Sequence, residues 1–550
     1  MPHWIERVAD ELLKYWGYKS SYNLNGGLSV SGLQHVGRLR GEIVLNDALA
    51  KVLREQGYEA RHTLVVYTLD AWKGKEAQLK QFENPKEAEA YRDWPLIRVP
   101  DPFGCHENWV EHYWEDFGSY LDRFALDVKV VYTHEVYKSD RMKKFITEVI
   151  MKKRSDIIRA LNKYRKRNPY PSDWIPFDPI CDECGRIGRA KTLSISGEKV
   201  EYSCECGHVG ETSLGNGKLK WRLEWPSLWW FLEVNFEPYG KDHAMPGGSR
   251  DSSIDLANNV FKFKPPYGIM NEWVGYVVRG KDMGDMGSSD FIGFTPKEWL
   301  KVADPEVLRY YYLVNNPDRR LVVGLDNVYA YVDRFDRAER VYFGAEEFGG
   351  SEEEEEVVKR SYELSFVRDP PKSLPFQLPF LHAVALVQTL PGENLLEEAV
   401  QRLKYTKVLT RELSEEELSR LRRRLKQALY WLEHYAPERF KVEIVEEVTP
   451  ELAEHVEMDV SGLLEALVEK LEAISWREDE IKGAMVSIKR KSKKEEREFF
   501  KAMYLALFGK PYGPRIAPYM ALMPREEVVK RLREISAYIR KKFTEEARTP

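Results

Sequence analysis

Between Tyr22 and Gly57 the apolar positions change their period. A short strand-like run meets a glycine-rich turn, and "GEIVLNDALAKVLREQG" then repeats its apolar residues at the i, i+3, i+4 spacing of one helix face. The segment "HTLVVYTLD" that follows reads as a second strand. Strand, helix, strand in that order favours a parallel sheet with helices on its faces. The cadence returns in "LDVKVVYTHEVY" and the helical "MKKFITEVIMKKRSDIIRALNKY". After a polar interval, "SLWWFLEVNFEPYG" and "WVGYVVRG" are expected to resume the sheet. From about Arg334 onward strand signals become rare and helical patterns dominate, which predicts an all-α domain of about 200 residues. The acidic run "SEEEEEVVKR" is expected to be a solvated helix or loop.

A chain of 550 residues, 43% hydrophobic and 12% aromatic, is long enough for several globular domains. The formal net charge of −5 gives no global basic signature, so any nucleic-acid contact must come from local patches. The first residues, "MPHWIERVADELLKYW", mix acids with apolar residues at helical spacing and lack the pattern of a secretory signal. No stretch approaches the roughly 18 consecutive apolar residues of a membrane helix, and a cytoplasmic location is expected.

The interval between about Asn168 and Lys220 is short, polar and punctuated by Gly and Cys, and reads as an insertion. Four of the five cysteines fall here: Cys181 and Cys184 form one CxxC pair, and Cys204 and Cys206 form a CxC pair 19 residues further on. Two close thiolate pairs on facing knuckles can supply the four sulfurs of a closed structural zinc site. His208 is an alternative ligand, and four unmetallated thiols are the bland reading. Cys105, alone in "DPFGCHENW", is expected to be a small buried residue.

The turn "GGLSVSGLQHVG" fits neither a dinucleotide fingerprint nor a P-loop and is by itself a weak phosphate signal. Three later segments supply context: "WRLEWP" (221–226), "GKDHAMPGGSRD" (240–251) and "GKDMGDMGSSDF" (280–291). Loops of this kind converge where a nucleotide binds at the carboxyl ends of parallel strands.

Taken in order, these blocks resemble the class I lysyl-tRNA synthetases of archaeal type, over nearly the whole chain. "SGLQHVGRLRGE" is similar to the HIGH-type signature, "FEPYGKDHAMPGGS" to the Gly-Lys-Asp-His block, and "DMGSSDF" occupies the place of the KMSKS loop. The resemblance implies an α/β fold with a split Rossmann-type catalytic domain, in halves at 1–165 and 221–278. A zinc-binding connective insertion at 166–220, a signature-loop and stem-contact region at 279–335 and an α-helical anticodon-binding domain at 336–550 are implied as well. It implies a monomeric, ATP-dependent lysine–tRNA ligase acting on lysine, ATP and tRNA(Lys), with magnesium accompanying ATP and zinc in a structural role. His35 and Gly37 would sit under the triphosphate, Gly240 and Asp242 would meet the adenosine, and Gly27, Ser29, Trp221 and His243 would line the lysine pocket. Arg38, Met286, Ser288 and Ser289 complete the expected catalytic set, and Cys181, Cys184, Cys204 and Cys206 the metal set.

Two departures stand out. Arg38 replaces the second histidine of the HIGH-type signature, either near the triphosphate or out in solvent. Both lysines of the signature loop are absent, with Asp285 and Asp290 in their places, so Lys281 or Arg38 is expected to supply part of the missing positive charge. Candidate RNA-contact runs are Arg420–Lys426, Lys489–Lys494 and "NKYRKRNPY", each of which also reads as a solvated face. The competing expectations are a class I synthetase for glutamate or cysteine, and a tRNA-binding relative that has lost activation.

Overall fold

The computed structural model describes residues 3–390 and 394–546. The chain divides into two compact units, one of residues 1–300, 304–324 and 337–372, the other of 301–303, 325–336 and 373–550. The expected boundary at 336 falls inside this division, since residues 337–372 group with the first unit.

The first unit opens with helix α1 (Trp4–Trp16), started by a capping box between His3 and Glu6 and burying Trp4, Ile5, Val8, Ala9 and Leu12 along one face. Strand β1 (Ser21–Leu28) follows, then a widened helical turn at Leu39–Leu45 that runs into α2 (Asn46–Glu55). Strands β2 (Glu59–Val66) and β3 (Val128–Tyr132) lie parallel in the order β1-β2-β3. On the far side of β1, Leu24 bridges Phe236 and Phe236 bridges Tyr267, both in parallel. In the same direction β4 (Tyr239–Gly240) pairs with β5 (Met270–Asn271). The two halves therefore form one parallel sheet whose order reverses at β1, the arrangement that leaves a crevice at the strand ends.

Two expected strands are corrected. "SLWWFL" is helical, within α3 (Trp221–Leu232), because its five consecutive large residues pack on more than one side, Leu228 and Trp229 buried and Trp230, Phe231 and Leu232 partly so, and only the residues after it join the sheet. "WVGYVV" belongs to a separate three-stranded sheet, where β6 (Val274–Val278) lies between β7 (Lys281–Asp285) and β8 (Leu321–Val323). The acidic run forms the helix Glu352–Ser365, whose four glutamates in the first turn complement the helix N-terminus.

The widened turn packs at backbone distance. A Cβ on Gly26 would lie 2.7 Å from the Glu42 carbonyl oxygen, and one on Gly41 would lie 2.9 Å from the Asn271 amide. Displaced from the regular helical ladder, the Glu42 carbonyl accepts from His62 Nε2 at 3.0 Å and Asn46 Nδ2 at 3.1 Å. At the start of α2 the fully buried Arg309 pairs with Asp47 at 2.8 Å and donates to the carbonyls of Ser365, Leu364 and Phe124.

The second unit is helical in its described residues from Phe380 to Glu546. Within it Arg424, expected as part of an RNA-contact run, is instead buried and forks onto Asp336 at 2.9 and 3.1 Å. Arg490 of the Lys489–Lys494 run lies 5.6 Å from the Phe499 and Phe500 ring centres. These two arginines act in packing, a role their basic neighbours conceal in the sequence. Among the described residues no helix is long and apolar enough to cross a membrane.

Removing one partner of a buried ion pair strands the other. Arg309→Met is expected to lower the unfolding free energy of the first unit by about 3–5 kcal/mol, measured as a shift in the denaturant midpoint against wild type.

Candidate active site

A cleft of about 420 Å³ lies where the loops after β1, β4 and β7 meet. Its walls bring together ten of the residues singled out in the sequence: Gly27, His35, Gly37, Arg38, Trp221, Gly240, Asp242, His243, Met286 and Ser288. Ser29 and Ser289 are not among the lining residues. Glu42, Tyr67, Trp225, Glu237, Glu272 and Trp273 line the cleft as well and were missed. Of these Glu237 left a trace, being a lone carboxylate inside the apolar "VNFEPYG".

His35 is 6% exposed, its Nδ1 has no hydrogen-bond partner, and burial holds its pKa down to about 3. It is therefore a neutral imidazole at physiological pH, offering one N–H. A Cβ on Gly37 would lie 2.9 Å from His35 Nδ1 and 3.3 Å from Val274 Cβ, so the glycine makes room first for the histidine ring. Arg38 lines the cleft, 3.5 Å from the Glu42 carboxylate, whose pKa burial raises.

One end of the cleft is aromatic. The Tyr67 and Trp221 rings are 5.3 Å apart, Trp221 stacks on Trp225 at 5.3 Å, and His243 stands 5.0 Å from Trp225. Glu237 lies at that end, accepting from the indole N–H of Trp225 at 3.1 Å and of Trp229 at 2.5 Å. Its burial pushes its pKa up to about 7, with the two indoles and Arg250 pulling the other way. His243 is fixed by Ser249 Oγ, 2.7 Å from its Nδ1.

At the other end is the signature loop. Asp285 is held by Arg320 Nε at 2.7 Å, and Asp290 accepts from Lys75 Nζ at 2.8 Å. The same ammonium donates to Ser289 Oγ at 2.8 Å. Lys281 is exposed at the start of β7 and does not line the cleft. Lys241 Nζ lies 2.9 Å from Glu272 and 4.5 Å from the centre of the Trp273 ring.

In the insertion, Cys181 Sγ is 3.8 Å from Cys206 Sγ and Cys184 Sγ is 3.7 Å from Cys204 Sγ, with the four atoms in one cluster. Metal–sulfur bonds of about 2.3 Å in a tetrahedron require about 3.8 Å between sulfurs, whereas a disulfide would need about 2.05 Å. The donor set thus fits a single four-sulfur metal, and His208 does not belong to it. The knuckle braces the catalytic unit through Trp94 Nε1, which donates to the Cys184 carbonyl at 2.9 Å, and through Arg189, 2.7 Å from Asp93.

The family model "tRNA synthetases class I (K)" matches residues 2–368, and the model "Anticodon binding domain" matches residues 435–536. Fold and family model together define a class I aminoacyl-tRNA synthetase. A curated lysine–tRNA ligase of Aeropyrum pernix is 45% identical over 540 residues, covering 97% of each chain. Those of Pyrococcus horikoshii and Pyrococcus furiosus are each 33% identical, covering 97% of this chain and 99% of theirs. The chain belongs to the class I lysine–tRNA ligase family.

Displacing the His35 ring by a methyl group misaligns a group at the cleft wall. Gly37→Ala is expected to lower ATP–pyrophosphate exchange by about 100-fold with little change in thermal unfolding, since small misplacements are costly at a reacting centre.

Proposed function

We propose that this chain activates lysine with ATP in the cleft and transfers it to the terminal adenosine of tRNA(Lys). The observation that carries the reading is an aromatic pocket closed by a buried carboxylate at one end of a cleft whose other end holds the signature loop. The lysine side chain lies along Tyr67, Trp221, Trp225 and His243, with Gly27 and Ser29 on the approach, and its ε-ammonium meets Glu237. Aromatic faces suit the ammonium and its methylene stem, and a buried anion supplies the charge-assisted hydrogen bond that separates lysine from neutral amino acids.

Adenosine sits over Gly240, and Asp242 accepts from the ribose hydroxyls. The triphosphate runs over His35 and Gly37, and the His35 N–H donates to a phosphate oxygen. The lysine carboxylate attacks the α-phosphorus, the bond to the β-phosphate breaks, and pyrophosphate leaves; magnesium accompanying ATP would offset its charge. The 2′-hydroxyl of the terminal adenosine then attacks the adenylate carbonyl and releases AMP. Catalysis is positioning and electrostatic stabilisation by fixed donors, with no covalent enzyme intermediate.

Arg38 faces the triphosphate and offsets charge that the family's loop lysines would meet. Met286 and Ser288 form the loop's inner edge, while Ser289 anchors it to Lys75. Cys181, Cys184, Cys204 and Cys206 would hold a zinc ion that ties the insertion together. The anticodon-binding segment 435–536 belongs to the helical part that engages tRNA.

The decisive experiment is ATP–pyrophosphate exchange across a panel of amino acids with tRNA(Lys) present. Lysine-dependent exchange is expected, and exchange with glutamate or cysteine instead, or with no amino acid, overturns the reading. Glu237→Gln is expected to raise the KM for lysine by about 10–100-fold, the value of one hydrogen bond to a charged group. In the wild type, ionisation of Glu237 as pH rises through about 7 creates the anion, so the KM for lysine falls between acidic and alkaline pH. Glu237→Gln is expected to remove that dependence.

A further inference from the structure

The candidate active site lies at the carboxyl ends of β1 and β2, where open α/β sheets ordinarily bind their ligands. A second and larger cleft, of about 1210 Å³, opens at the amino ends of the same strands. Ser21 begins β1, Ala60 stands next to the start of β2 and Asp127 immediately precedes β3, and all three line it. Every lining residue belongs to the first unit. Lysine activation makes no use of this face.

Its charge is opposite in sign to that of the chain. Six cations converge on it, Lys19, Arg54, Arg61, Lys129, Arg141 and Lys264, against the carboxylates of Asp127 and Glu233, in a protein whose 89 acids outnumber its 84 lysines and arginines. They come from the loop before β1, from α2, β2 and β3, from the helix Asp140–Phe145 and from the loop after Phe261. No single basic helix face produces the cluster. Arg141 is 2.9 Å from Glu233, and Arg61 is 3.8 Å from Glu59. Arg54 donates to the Ala60 carbonyl at 2.8 Å and Lys264 to the Tyr15 carbonyl, both neutral acceptors. Among the described residues Lys19, Arg54, Lys129 and Lys264 form no ion pair with a carboxylate. Their charge is left to be met from outside the protein.

The aromatic side chains give that anion its chemistry. Trp16, Trp230, Phe231 and Phe263 line the same cleft, each partly exposed. Trp16 is fixed by its Nε1, which donates to the Asn235 carbonyl at 2.7 Å, and the Lys19 and Lys264 ammonium groups lie 4.9 and 5.3 Å from its ring centre. Trp230 stacks on Phe145 at 4.1 Å, and the Arg141 guanidinium lies 5.0 Å from the Trp230 ring centre and 5.4 Å from that of Phe231. Fixed rings beside flexible cations take a base on the ring and its phosphate on the cation. An acidic peptide would use the cations and leave the rings bare. A single small molecule would leave the cleft part empty, since 1210 Å³ exceeds the roughly 300–1,000 Å³ of pockets for such ligands. We propose that this cleft binds a single-stranded nucleic-acid segment several nucleotides long, at the strand ends opposite the candidate active site. Helix α3 thus carries aromatic walls for both clefts, Trp221 and Trp225 in its first turns and Trp230 and Phe231 in its last.

Fluorescence anisotropy of a labelled single-stranded RNA tests this on the full-length chain, with a strand of about 12 nucleotides, inside the roughly 4–16 that single-strand sites cover. The Lys19→Glu/Lys129→Glu variant reverses two cations that have no protein carboxylate to lose, and its thermal unfolding midpoint serves as the fold control. Its affinity is expected to fall at least about 10-fold, and its slope of log affinity against log salt to shrink by about 1.4, two phosphate contacts at roughly 0.7 each. Photocross-linking of the same strand carrying thiouridine locates it on the wild type without mutation. Adducts are expected on the peptides bearing Trp16, Trp230 or Phe231. Displacement of the strand by equimolar AMP would mark a mononucleotide site and overturn the proposal. Adducts confined to residues 373–550, or a folded charge-reversed variant with wild-type affinity and salt slope, would overturn it as well.

Discussion

The helix that leaves the HIGH-type turn lies against two strands at a distance no side chain would permit, and the site depends on that approach. Gly26 in β1 and Gly41 in the helix contribute no Cβ where Glu42 and Asn271 stand. The widened turn at Leu39–Leu45 pushes the Glu42 carbonyl off the helical ladder, and His62 and Asn46 recover it as an acceptor. Because the two glycines contact opposite halves of the sheet, the turn that carries His35 is located by both. The His35 end of the cleft is in this sense a consequence of backbone packing, with the chemistry-bearing side chains hung on it afterwards.

Charge in the cleft is distributed differently from what the loop sequence suggests. The aspartates that stand where lysines are expected line the cleft already paired, Asp285 with Arg320 and Asp290 with Lys75. Neutralised carboxylates exert little repulsion, which reconciles an acidic loop with a polyanionic substrate. At the opposite end Glu237 is buried and held by two indole N–H groups, and that burial raises its pKa. The site thus spends its fixed cations on its own acids at one end and reserves a buried acid at the other.

How much of this was legible in the sequence varies by element. The period change from Tyr22 to Gly57 gave the first β-α-β unit, because an exposed helix face and a buried strand leave opposite periodicities. "SLWWFL" was misread because a helix buried on several sides loses its period and looks like a core strand. The cysteine knuckle was readable, as its ligands are close in the chain. Cys105 was misread as buried: it is exposed, with its sulfur 3.2 Å from His106 and His112, neighbours that a cysteine without a partner cysteine does not announce. Lys75 was likewise invisible as a site residue: nothing local marks a lysine that will meet a loop more than two hundred positions away.

The Lys75 contact has a consequence for how this chain can change. Restoring a lysine at position 290 alone would set two ammonium groups against each other, and altering Lys75 alone would leave a bare carboxylate beside the pyrophosphate path. Either single step passes through a penalised intermediate, while the joint exchange does not. Positions 75 and 290 are therefore an epistatic pair, and the acidic loop is one half of a trait whose other half is written elsewhere in the chain.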